Sequence, residues 1–278
     1  MSFSGHTIIT GGSSGIGYAL AERLIRRGGR VSLIARDPTK LQRARDDLLA
    51  RGAAHSSVSV VAADVVDQRQ LDEAVAECEA NAGEAEALIA SAGIVRPQFF
   101  HEQLVEDFDR QIGTNLIGVA NSIRAVYRPM RQRGRGRIMI VSSGAAFVGI
   151  PGYAAYCASK AALRAFASSL RLEAKPAGVQ VSVCFPPDTD TPQLQAELPQ
   201  RPEAARLFMG ESKPWPVDKV AERILAGFDA GKDEVNFGLL LTFLARTSPM
   251  LEPLLQSLHL WRTAKIKTTD TNLTDGSQ

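Results

Sequence analysis

Residues 7–17 read Thr-Ile-Ile-Thr-Gly-Gly-Ser-Ser-Gly-Ile-Gly, a short apolar run that breaks into spaced glycines before a helical pattern begins at Tyr18, Leu20, Leu24 and Ile25. A strand, a glycine turn and a helix in that order constrain a chain strongly. The helix must fold back over the strand through a turn with almost no room for side chains. Gly11 allows the tight turn, Gly15 lets an anionic group approach the backbone, and Gly17 permits close helix–strand packing. The helix N-terminus then offers unpaired N–H groups, a natural seat for phosphate. The spacing is G-x-x-x-G-x-G rather than the commoner G-x-G-x-x-G.

The alternation continues along the chain. Apolar runs at Val31–Ala35, Val58–Ala62, Ala87–Ala90, Arg137–Val141 and Val179–Cys184 predict strands. Between them, helices are predicted from Pro38 through Leu41, Leu48 and Leu49, around Leu71–Cys78, over Phe108–Arg131 and over Ala154–Lys175. Continuous apolar strands separated by helices imply a parallel sheet covered on both faces. Right-handed crossovers make it an α/β, doubly wound, Rossmann-type sheet with ligands at the carboxyl ends of its strands. The 278 residues, 45% of them hydrophobic, suit one principal domain over 1–238. Pro186, Pro187, Pro192, Pro199 and Pro202 crowd one stretch and predict a long irregular loop at 186–215. A helix follows over Ala221–Ala230, then an apolar extension over 239–267 and a polar, disordered tail over 268–278.

Charge and cysteine content exclude several classes. A net charge of +2 with dispersed acids does not suit a nucleic-acid binder. Cys78, Cys157 and Cys184 form no disulfide framework, which suits a reducing compartment. Cys157 reads as a packing residue. No basic flank and apolar core of a signal peptide is visible, and the apolar run 235–245 falls short of the ~20 residues a bilayer requires. The expected location is cytoplasmic. Leu239, Leu240, Leu241, Phe243, Leu244, Leu254, Leu255, Leu258 and Trp261 could form an apolar surface for peripheral membrane contact, or fold over the pocket or a subunit interface.

The glycine turn points to a dinucleotide. An acidic residue after the second strand would hold a ribose 2′-hydroxyl, but that strand ends Ile34-Ala35-Arg36. Arg36 and Lys40 offer cations suited to a 2′-phosphate, with Ser13 adding a hydroxyl, and NADP(H) is the cofactor expected. Asp64, past the third strand, is a candidate to accept from the adenine amine, or else an ordinary turn residue.

A second constellation supplies proton chemistry. Tyr156 and Lys160 stand at i and i+4 on one helix face, thirteen residues after Ser143. Hydride reduction of a ketone leaves an alkoxide that must be protonated. A phenol can donate, and a neighbouring ammonium would bring its pKa down from ~10. Ser143 would hold the carbonyl oxygen. Two decoys are set aside: Tyr153 has Cys157, not Lys, four residues on, and strand alternation sends Ser142 to the opposite face from Ser143.

Together these motifs resemble the short-chain dehydrogenase/reductase family over roughly residues 5–230. The resemblance implies that Tyr156 is the proton donor, Lys160 its partner, Ser143 the carbonyl holder and Asn115 the organiser of a water-mediated proton relay. It also implies hydride transfer from NADPH, and a dimer or tetramer packed through two long helices. Two departures stand out: Ala90-Ser91-Ala92-Gly93 where the family has Asn-Asn-Ala-Gly, and Pro186-Pro187 where it has Pro-Gly. The segments Pro186-Pro-Asp-Thr-Asp-Thr-Pro192, Thr10–Gly17 and Leu33–Arg36 resemble those of the 3-ketodihydrosphingosine reductases. That likeness implies a long-chain lipophilic ketone as substrate and cofactor roles for Gly11, Ser13, Ser14, Gly15, Arg36, Lys40 and Asp64. Gly17, Gly93, Thr191, Tyr156 and Lys160 complete the expected cofactor contacts. Other enzyme readings are a reductase of 3-oxoacyl thioesters, steroids or xenobiotic carbonyls; a non-catalytic NADPH-binding regulator is the reading from another class.

Overall fold

The computed structural model describes residues 3–210 and 213–248, together with 250, 251, 253, 254, 256, 257 and 260. Its chain alternates strand and helix: β1 (His6–Thr10), α1 (Gly15–Arg26), β2 (Arg30–Ala35), α2 (Pro38–Ala50), β3 (Val58–Ala62), α3 (Gln68–Ala82) and β4 (Ala87–Ala90). There follow α4 (Val105–Ile112), α5 (Gly118–Arg133), β5 (Gly136–Val141), α6 (Ala154–Ala174) and β6 (Val179–Cys184). The last described elements are β7 (Thr189–Asp190), α7 (Pro192–Glu197), α8 (Glu203–Met209), β8 (Trp215–Pro216), α9 (Val217–Asp229) and β9 (Glu234–Val235). Residues 238–248 form a further helix.

Seven parallel strands lie in the order β3-β2-β1-β4-β5-β6-β9. Successive side chains of a strand serve opposite faces, so Ile8 and Leu88 pack toward α3, α5 and α6, while Ile9 and Ile89 pack toward α1, α2 and α9. From β1 the chain first winds outward to β3, then returns to β4 on the other side. This reversal opens a crevice between the carboxyl ends of β1 and β4, where ligands bind in such sheets. The backbones there are nearly in contact: a Cβ on Gly11 would lie 2.8 Å from the Ala92 backbone. Behind it, a Cβ on Gly17 would stand 2.4 Å from the Gly11 carbonyl oxygen, so α1 can sit this close only without a side chain.

Two expectations need correction. The proline-rich stretch is not irregular: Pro192 opens α7 and Pro202 caps α8, and β7 pairs with β8. Proline is tolerated at a helix start because its missing N–H would be unpaired there anyway. The predicted helix over Phe108–Arg131 is interrupted by a π-helical turn at Gly113–Ile117 that holds Asn115.

The helix 238–248 lies across the carboxyl ends of the sheet. Leu241 packs against both halves of the core, and Ala245 is buried, while Leu239 is 91% exposed. Arg164, on α6, holds this segment: it donates to the Ala245 carbonyl at 2.8 Å and to Glu234 at 3.0 Å. The extension therefore both covers the sheet ends and exposes leucines. Leu255, Leu258, Trp261 and the tail 268–278 lie outside the described residues. Among the described residues no helix is long and apolar enough to cross a membrane.

Gly178 links the end of α6 to β6 at φ 72°, and a Cβ there would meet the Gly134 carbonyl oxygen at 2.0 Å. Gly178→Ala combines strain with a backbone clash and should cost about 2 kcal/mol or more of unfolding free energy. Urea unfolding with an unchanged m-value reads this directly; an unchanged midpoint contradicts it.

Candidate active site

Ser143 lies two residues beyond β5, Tyr156 and Lys160 lie in the first turns of α6, and Asn115 lies in the π-helical turn before α5. All four come together at the carboxyl ends of β4 and β5. Asn115 is fully buried and ties the parts to one another. Its Nδ2 donates to the Ile94 carbonyl at 2.9 Å and to Ser159 Oγ at 3.1 Å, while its Oδ1 accepts from Ile94 N–H at 2.8 Å. Lys160 Nζ donates to the Val141 carbonyl at 3.1 Å and stands 5.7 Å from the centre of the Tyr156 ring. A Cβ on Gly93 would come within 3.4 Å of both Asn115 Oδ1 and Lys160 Nζ, so this glycine keeps the crevice open beside them.

The electrostatics differ from the expected acidification. Burial pushes the Tyr156 phenol upward and outweighs the hydrogen bond with Ser143, which works the other way. Burial also pulls the Lys160 ammonium down, to about 8. The phenol is thus kept neutral and able to donate.

Ser142 is engaged away from the reacting groups: on the α6 side of the sheet, which Ile138 and Ile140 also face, its hydroxyl donates to the Lys160 carbonyl at 2.9 Å and anchors α6. Tyr153 is equally engaged: its hydroxyl donates to Glu197 at 2.6 Å and accepts from Arg201 at 3.1 Å.

The glycine turn meets the requirements of a dinucleotide. Ser14 caps α1 without a side-chain hydrogen bond, and no acidic residue occupies the first turn, so the helix end is left to an outside anion. Thr191, at the start of α7, closes over the turn; its Cγ2 would be 3.3 Å from a Cβ on Gly15. Arg36 and Lys40 are exposed beyond β2. Asp37 is occupied as the cap of α2, accepting from Lys40 N–H at 3.0 Å. Asp64 accepts from Val66 N–H at 3.0 Å through Oδ1, which is the turn role weighed for it. Ser13 is half-buried in the turn.

A cavity of about 580 Å³ opens in front of Ser143 and Tyr156. Its wall includes Leu207 and Met209 of α8, Leu194 of α7, and Leu240 and Leu244 of the 238–248 helix. Sequence reasoning missed this wall in part, because Leu207-Phe-Met209 lies in the stretch read as loop. The apolar triplet was the available signal.

Comparison with known proteins agrees with this geometry. The family model described as short chain dehydrogenase matches residues 5–202. A 3-dehydrosphinganine reductase of Danio rerio is 34% identical over 235 residues, covering 84% of this chain and 71% of that protein. The 3-dehydrosphinganine reductase TSC10B of Arabidopsis thaliana is 37% identical over 252 residues, 89% of this chain and 74% of its own length. A solved variant of actinorhodin polyketide ketoreductase with NADPH superposes with a TM-score of 0.76 at 26% identity, covering 85% of this chain and 97% of that one. A doubly wound sheet, a glycine turn and a matched family model over most of its length make this chain a member of the short-chain dehydrogenase family, an oxidoreductase acting between carbonyl and alcohol groups.

Proposed function

We propose that this protein reduces 3-ketodihydrosphingosine to dihydrosphingosine with NADPH. The observation that carries the reading is an apolar cavity of about 580 Å³ that opens onto Ser143 and Tyr156. It has room for a lipophilic ketone, and the similar proteins named above are 3-dehydrosphinganine reductases. The cofactor would be held by Gly11, Ser13, Ser14, Gly15 and Gly17 at the phosphates, by Arg36 and Lys40 at a 2′-phosphate, and by Asp64, Gly93 and Thr191 elsewhere. When bound, NADPH supplies the hydride that reaches the carbonyl carbon.

The chain's own residues do the rest. The Ser143 hydroxyl donates to the carbonyl oxygen and fixes the ketone in front of the phenol. Tyr156 gives its proton to that oxygen as negative charge develops, a role suited to a phenol kept neutral by burial. Lys160 places a cation beside the ring that would steady the phenolate left behind, and it would bond the nicotinamide ribose of a bound cofactor. Asn115 holds the Ile94 and Ser159 backbone and side chain in register, and with them the path by which water returns a proton.

A panel of ketones followed by NADPH fluorescence tests the reading. The sphingoid ketone should be reduced, whereas reduction of a steroid or an acyl thioester in its place sinks the claim. Tyr156→Phe should lower kcat by roughly 10²–10⁴-fold while cofactor still binds; full retained function would indicate a regulator instead. Arg36→Ala should weaken NADPH but not NADH, narrowing the preference by on the order of tenfold. The Lys160 ammonium is present below about pH 8 and lost above it, while the phenol keeps its proton throughout. The reductive kcat/KM should therefore fall as pH rises past 8; a flat profile to pH 10 rules this out.

A further inference from the structure

One charged cluster shares the cavity with the reacting groups and is not used by the chemistry above. Asp188 and Glu197 both line the cavity beside Ser143 and Tyr156. Arg201 stands behind them, its side chain only 7% exposed and absent from the cavity wall. Its Nη1 lies 2.9 Å from Asp188 Oδ2 and its Nη2 lies 2.7 Å from Glu197 Oε1. The same Glu197 oxygen accepts from Tyr153 at 2.6 Å.

Two carboxylates against one guanidinium leave one negative charge. Glu197 is nine-tenths buried, its side chain 10% exposed, and its second oxygen accepts no hydrogen bond from the described residues. Lys213 also lines the cavity, but it is exposed. The excess charge reaches the reacting group, since Glu197 and Asp188 both add to the upward push on the Tyr156 phenol. Burying an uncompensated charge is costly, and a ligand that brings the opposite charge to the same place recovers that cost.

We propose that Asp188 and Glu197 form a subsite for an ammonium group carried on the carbon next to the reacting carbonyl. This rests on the reductase reading above and narrows it: the substrate class is an α-amino ketone with a long apolar chain. A sphingoid ketone has that pattern, with the amine-bearing carbon adjacent to the ketone and the alkyl chain on its other side. The carboxylates take the amine, and the aliphatic wall around Leu194, Leu207, Met209 and Leu240 takes the chain. Oxoacyl thioesters and steroid ketones bring no cation and leave the carboxylates uncompensated. Arg201 keeps both carboxylates aimed at the cavity.

The test compares 3-ketosphinganine with 1-hydroxyoctadecan-3-one, which keeps the chain, hydroxyl and ketone and lacks the amine. NADPH oxidation is measured for the full chain and for Asp188→Asn and Glu197→Gln, each nearly isosteric and short of one charge. The unaltered protein should favour the amine by on the order of 10- to 100-fold in kcat/KM, the usual range for a charge-assisted hydrogen bond. Each variant should bring that ratio down at least about fivefold, a change that general loosening of the cavity would not make. NADPH titration by fluorescence verifies that each variant is folded; if Glu197→Gln fails it, Asp188→Asn carries the comparison. Equal kcat/KM for the two ketones, or variants that keep the full ratio, overturn the subsite while leaving the reductase reading intact. If neither ketone is reduced and a steroid or acyl thioester is, the reading falls and the subsite falls with it.

Discussion

Three segments far apart in the chain meet at the buried amide of Asn115: the loop after β4, the π-helical turn before α5, and the first turns of α6. A fully buried amide is stable only when its donors and acceptor are all used, so the meeting is all-or-none. It fixes Ile94 against Ser159, and Ser159 lies one residue before Lys160. The Lys160 nitrogen is then delivered to the end of β5 and bonds Val141. That tie joins the polar contacts of α6 with the sheet, from the Ser142 hydroxyl to the Lys160 carbonyl and from Arg171 to the Val181 carbonyl, which together fix its rotation as well as its distance.

The strands were the most legible part of the fold. Buried parallel strands are continuous apolar runs, and those at Val58–Ala62, Ala87–Ala90 and Val179–Cys184 match the observed bounds. The helix starts were legible where chemistry marks them, as with Pro38 after the Asp37 cap. The glycine turn, Ser143, Tyr156 and Lys160 could be read because short spacings on one element survive folding. What could not be read depends on long-range packing. Nothing in Gly113–Ile117 announces a π turn. The prolines of 186–202 misled because a proline at the first turn of a helix starts it, and one inside breaks it.

The site is also less polar than its residue list suggests. Burial disfavours the charged form of both groups, pushing the phenol upward and the Lys160 ammonium down to about 8. The phenol therefore holds its proton until negative charge develops on a neighbouring oxygen, while the lysine is a cation only below about pH 8. One buried environment thus displaces the two groups in opposite directions and separates their roles.

Arg164 sits one turn past Lys160 on α6 and grips the carbonyl of Ala245 and the carboxylate of Glu234. The roof of the cavity is thereby bolted to the rod that carries the reacting side chains. The opposite wall, built from α7 and α8, is joined to the start of that rod by the Tyr153 hydroxyl, which meets Glu197 and Arg201. A ligand entering between them is therefore held by two walls fastened to one helix, near its start and beyond its second turn.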